Sequence, residues 1–159
     1  MEIPETSLIR KTLVLRKLDL PPNVMLTKRS LLRWLALSLG LISERESRTT
    51  VLHILDGIFY FLLSKKQNPT SADIKQYLEK EKHLLISERL VRYHLRKLTE
   101  LGILTRKNAR YAINPAPDAE RENIASAVYY IKEDVSQCCK TIEKALEKLS
   151  EFYTPNENG

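Results

Sequence analysis

From Ile124 to Phe152 apolar residues recur at alternating spacings of four and three: Ile124, Val128, Ile131, Val135, Cys138, Ile142, Ala145, Leu149 and Phe152. This is the heptad period of a left-handed coiled coil, and neither glycine nor proline interrupts residues 118–153. One long helix over 118–153 is therefore expected. A seam of four heptads is longer than a small domain covers, so it predicts pairing with a second copy through Ile124, Val128, Ile131, Val135, Cys138, Ile142 and Leu149. Valine and isoleucine at the a positions suit two parallel strands, but the d positions lack leucine, and the sequence leaves the direction open. Lys140/Glu143, Lys144/Glu147 and Lys148/Glu151 are spaced as ion pairs on the outer faces. Cys138 reads as a small apolar seam residue. The sharper alternative is a redox cross-link through Cys138 or Cys139.

The rest of the chain must supply the core. Of 159 residues, 43% are hydrophobic and 29% charged, with four glycines and seven prolines, which describes a helix-rich globular protein with one domain and extensions. Residues 1–48 read as an arm and a helix. The stretch "TLVLRKLDLPP" is an extended arm or single strand. In "LTKRSLLRWLALSLG", Thr27 is the N-cap, Gly40 the stop, and Leu31, Leu32, Leu35 and Leu39 the inner stripe. Lys28, Arg29 and Arg33 read either as phosphate contacts or as stems snorkelling over a packed helix.

Residues 49–117 carry a denser pattern. A helix apolar on nearly all faces starts at Thr49 or Thr50 and stops before Pro69. Thr70 or Ser71 caps the next helix, whose inner face is Ile74 and Leu78. Ser87 starts a third helix, over 87–101, closed by Gly102. Two short strands, 103–106 and 110–113, flank a Lys-Asn-Ala turn in which Asn108 tolerates a positive φ.

On the third helix, at about 100° per residue, Leu95 and Leu98 fall within about 40° of Val91, while Arg89, Tyr93 and Arg96 lie about 140–200° away. Arg92 and Lys97 flank that outward face, which is basic and carries one aromatic ring. Arginine there can grip phosphate or contact guanine in a bidentate manner. Ser87 and the helix N-terminus offer backbone N–H groups to a phosphate.

The segments "PTSADIKQYL", "ISERLVRYHLRKLTELGIL" and "TRKNARYAI" together resemble a winged-helix-turn-helix domain of prokaryotic and archaeal transcription regulators, over roughly 40% of the chain. The resemblance implies a mainly α fold with a small β-hairpin, here extended by the long C-terminal coiled-coil helix. It places the third helix in a major groove and the 103–113 hairpin on the DNA backbone. The expected contacts are Ser87, Arg89, Arg92, Tyr93, Arg96, Lys97, Arg106, Lys107 and Arg110.

Charge supports that division. The net charge is +6, with nine basic and three acidic residues in 8–48, seven and two in 84–117, and five and nine in 118–159. Two basic stretches and an acidic tail suit a chain of which one part meets a polyanion. The expected function is sequence-specific binding of double-stranded DNA as a homodimeric transcription regulator. The alternative is a winged-helix protein-interaction module whose C-terminal coil binds another protein.

Other classes find less support. No phosphate loop, carboxylate pair, or Ser/His or Cys/His constellation suggests an enzyme, and no cofactor is expected. His53, His83 and His94 lack metal-site spacing, so no metal is expected. Charges at Arg10, Lys11, Arg16 and Lys17 break any signal-like apolar run, and the stretch around 54–63 is too short to span a bilayer, so a cytoplasmic protein without membrane contact is expected. A groove between the coil and the N-terminal helix could hold an apolar effector, of which the sequence names none. Residues 154–159 read as a disordered tail. The pentapeptide "LISER" occurs at 41–45 and 85–89, but its flanks do not match. It is one helix-start signal used twice rather than a duplication, and only the second copy is expected at DNA.

Overall fold

A computed structural model describes residues 1–43, 49–120 and 123–155. Most of the first LISER copy's connector (44–48) and most of the expected tail (156–159) lie outside the described residues. The helices are α1 (Lys28–Ser38), α2 (Thr50–Phe59), α3 (Ser71–Lys82), α4 (Glu88–Glu100) and α5 (Val128–Tyr153), with strands β1 (Leu104–Lys107) and β2 (Arg110–Ile113) between α4 and α5.

The N-caps fall where the sequence places them. Thr27 accepts from the Ser30 N–H, and Ser87 from the Leu90 N–H. Thr70 forms a reciprocal capping box with Asp73. Gly40 and Gly102 end α1 and α4 at φ +67° and +86°, the left-handed region that favours glycine. The apolar run that reads as one continuous helix is divided: α2 passes into a single π turn over Tyr60–Ser64. Its Tyr60 ring stacks on Tyr77 of α3, with ring centroids 4.4 Å apart.

One core joins α1 to β2: Ala36, Ile54, Leu55, Ile58, Ile74, Leu78, Val91, Leu95, Leu98, Leu104 and Tyr111 are all essentially inaccessible. The strands pair antiparallel, Leu104 opposite Ile113 and Lys107 opposite Arg110. A single bridge from Thr70 to Arg110 hangs this hairpin on the start of α3, with the Tyr111 N–H donating to the Pro69 carbonyl at 2.8 Å. Three packed helices followed by an antiparallel hairpin make a winged helix. The strands begin one residue later than expected for β1, and the turn narrows to Asn108 and Ala109, both at positive φ (54° and 64°).

Residues 12–21 of the arm are extended, and among the described residues no strand pairs with them. Arg16 fastens the arm by donating through Nη1 to the Leu37 and Ile42 carbonyls, each at 2.8 Å, so a side chain satisfies the open end of α1. Its own N–H donates to Ser38 O, and Val14 packs against Gly40. Lys11 reaches Asp134 of α5 at 2.6 Å.

The long C-terminal helix starts at Val128, not at 118. Ser126 holds the preceding chain in a 3-10 turn, Ile124–Ala127, by accepting from the Ala116 N–H and donating to the Asn123 carbonyl. Such local side-chain bonds compete with a helical ladder. Among the described residues, no helix is long and apolar enough to cross a membrane.

Candidate nucleic-acid interface

α4 divides cleanly into two faces. Val91, Leu95 and Leu98 are buried, while Arg89, Tyr93 and Arg96 on the opposite side are exposed. Arg89 and Arg96 hold no ion pair among the described residues. Lys97 Nζ sits 5.0 Å from the Tyr93 ring centroid, keeping that ring on the basic face.

Arg92 is placed differently from its neighbours. It is half-buried, and its Nη1 lies 2.8 Å from Glu88 Oε1, the same oxygen that accepts from Ser71 Oγ at 2.9 Å. Glu88 thereby ties the first turn of α3 to the first turn of α4 and fixes the helix-turn-helix angle. The i,i+4 spacing of Glu88 and Arg92 was legible in the sequence, but the Ser71 link was not, since it needs α3 in place.

On the hairpin, Arg106, Lys107 and Arg110 are all exposed. Lys107 and Arg110 face each other across the two-residue turn. Arg106 lies over the Tyr111 ring at 5.5 Å. Arg110 donates to the Asn68 carbonyl at 2.9 Å, which aims its guanidinium back along the bridge to α3. Ser87 is spent in part on its capping bond, while its helix start remains exposed.

Lys28, considered above as a phosphate contact, is an anchor instead. Its Nζ lies 2.8 Å from Oδ1 of Asp56, a buried carboxylate in α2 that Lys82 approaches at 3.5 Å from the end of α3. This hydrogen bond and charge raise the Lys28 pKa above its ordinary value. A lone Asp inside the apolar run "TVLHILDGIF" was the one sequence signal of this clamp.

The seam residues fall into two groups. Ile124 lies in the 3-10 turn, half-buried, and Ile131 is buried against the chain's own domain. Val128, Val135, Cys138, Ile142 and Leu149 are exposed, as is Phe152. Buried Ile131 separates exposed Val128 from the later seam residues, so among the described residues the unbroken exposed run begins at Val135. Lys148 and Glu151 pair on the outer face at 2.8 Å.

A groove of about 510 Å³ lies between α1 and the end of α2, lined by Leu26, Leu31, Leu35, Phe59, Tyr60 and Leu63 beside the Lys28–Asp56 pair.

Residues 58–117 match the family model of the ribonuclease R winged-helix domain, which begins within α2 and runs past the hairpin. No curated protein and no solved structure matched the chain.

Proposed function

We propose that the chain binds double-stranded DNA sequence-specifically, as a homodimeric transcription regulator of the cytoplasm that acts by occupancy rather than by catalysis. The observation that carries this reading is the outward face of α4, where Arg89, Tyr93 and Arg96 are exposed opposite a fully buried stripe. In a winged helix that face is the one offered to a major groove, and its N-terminal half reaches base edges. Arg106, Lys107 and Arg110 on the hairpin add phosphate contacts that set register rather than sequence. A winged-helix domain is the coarser finding on which the proposal builds.

A second reading has its own support. The free apolar face of α5 suits a protein partner, and winged helices also serve as interaction modules. The matching family model is named for a ribonuclease, so an RNA arm belongs in the test.

The deciding experiment is selection of bound duplexes from random DNA, repeated with Arg89 and Arg96 changed to Ala and with structured RNA as competitor. An enriched motif that the double variant fails to recover supports the proposal. Enrichment of nothing, with retention unchanged in the variant, overturns it. Preferential loss to the RNA competitor moves the assignment to RNA.

A further inference from the structure

The homodimer proposed above leaves the direction of pairing open, and the exposed part of α5 contains the information to fix it. We infer that α5 pairs with α5 of a second copy in antiparallel orientation, about a two-fold axis passing between Glu143 and Lys144.

Because Ile131 is buried in its own domain and isolates exposed Val128, the continuous exposed seam starts at Val135. Aligned in parallel, it sets every residue against itself. Ala145 then meets the partner's Ala145, which leaves a void, and Phe152 meets the partner's Phe152, which crowds the end. Reversed about the 143/144 midpoint, the same residues sort by size. Val135 faces the partner's Phe152, Cys138 faces the partner's Leu149, and Ile142 faces the partner's Ala145. Each layer joins a larger to a smaller side chain, as close packing requires.

The flank makes the same choice. Cys139, Leu146 and Tyr153 follow the d positions on one side of the seam and are exposed, Leu146 at 60% and Tyr153 at 83%. In an antiparallel coil that side meets its own copy, so Cys139 touches the partner's Leu146. A parallel coil would put Leu146 against the partner's Thr141 and Tyr153 against the partner's Lys148. Charge permits the approach: residues 135–153 carry three lysines and three glutamates, none of them on the a, d or following positions. Covering the large exposed apolar side chains from Val135 to Tyr153 on both chains buries on the order of 1,000 Å², near the low end of specific interfaces.

The register has a functional consequence. The two Ile131 anchors are 25 residues apart along the paired helices, which at 1.5 Å per residue is about 37 Å. One turn of B-DNA separates successive half-sites by about 34–36 Å. It also puts the two Cys138 residues about 16 Å apart along the axis, beyond the roughly 7 Å Cα separation that a disulfide spans.

Sedimentation equilibrium of the full chain comes first, with a species of twice 18.4 kDa expected. A monomer overturns the homodimer reading and this inference with it. Given a dimer, the L149C/C139S variant is oxidised with copper–phenanthroline, digested with trypsin and analysed by mass spectrometry. Peptides in which Cys138 is joined to the cysteine introduced at position 149 support the antiparallel register. Peptides in which each of these two positions is joined to its own copy overturn it in favour of a parallel coil while leaving the dimer intact. A V135C/F152C/C138S/C139S variant should likewise link position 135 of one chain to position 152 of the other. Absence of any interchain link in both variants, in a chain that still sediments as a dimer, assigns the interface to another surface and overturns the inference.

Discussion

Tyr130 of α5 closes over Gly102 so tightly that a methyl group on the glycine would lie 2.6 Å from the tyrosine Cβ. The Tyr130 hydroxyl donates to the Pro115 carbonyl at 2.8 Å, and Asn114 Nδ2 donates to the Gly102 carbonyl at 2.9 Å. The end of α4, the end of the hairpin and the first turn of α5 therefore meet at one glycine. Changing Gly102 to Ala should cost about 1–2 kcal/mol for the left-handed backbone alone and more for the collision. A fall in Tm of several degrees is expected by circular dichroism, and Tyr130→Ala in the same chain should not relieve the collision, because alanine keeps the Cβ that the new methyl group meets. No change in Tm would contradict the contact.

The Asp56 clamp makes a statement about pH. Lys28 has its pKa raised above 10.5, first by the hydrogen bond to Asp56 and then by that carboxylate's charge. Tyr77 is raised above 10.0, first by burial and then by the charge of Asp56. Both groups hold their protons more tightly folded than unfolded. Their contribution is therefore complete below about pH 10 and disappears as pH rises through the folded values. Urea unfolding between about pH 9 and 11.5 should show stability falling with pH, and Asp56→Asn should flatten that fall. At neutral pH the same variant should lose about 1–2 kcal/mol, limited because Lys28 is largely solvated. A slope unaltered by Asp56→Asn would rule the clamp out as its source.

What the sequence disclosed follows from the range of its signals. Val91, Leu95 and Leu98 form a stripe that the helical period alone reveals, and Thr27, Thr70 and Ser87 announce their caps within three residues. The outward Arg89, Tyr93 and Arg96 come from the same wheel. What needed the fold were contacts between elements distant in the chain. Arg16 capping α1 and Ser71 bonding Glu88 have no local pattern. The heptad count likewise could not tell which part of the seam the chain covers itself. Ile131 and Val135 are equivalent in the repeat, yet only the first is buried, because α5 leaves the domain surface between them.

The hairpin turn carries a removable strain. Asn108 and Ala109 both have positive φ, the requirement of a two-residue type I′ turn, and only the first is a residue that adopts it readily. Ala109→Gly should stabilise the protein by about 0.5–1 kcal/mol, the relief of the left-handed alanine less the added chain entropy. Thermal unfolding should show a rise of a few degrees, with DNA retention unchanged because no charge is altered. A fall in Tm would mean that the turn is not the one described.

The ion pair within α4 ranks the arginines for DNA binding, given the function proposed. Among the described residues Arg96 holds no ion pair, whereas Arg92 is held by Glu88 and must leave or share that carboxylate to reach a base or phosphate. Arg96→Ala should therefore weaken binding to the selected duplex by about 1–3 kcal/mol. Lys107→Ala, at the hairpin, should weaken all duplexes alike and lower the salt dependence by about one counterion. Arg92→Ala should cost less affinity than Arg96→Ala, since the wild type spends part of its contact energy on parting from Glu88. Fluorescence anisotropy across a salt series reads all three. If Arg92→Ala proves the most damaging, then Glu88 orients that arginine toward DNA rather than withholding it, and the contact surface shifts one turn toward Ser87.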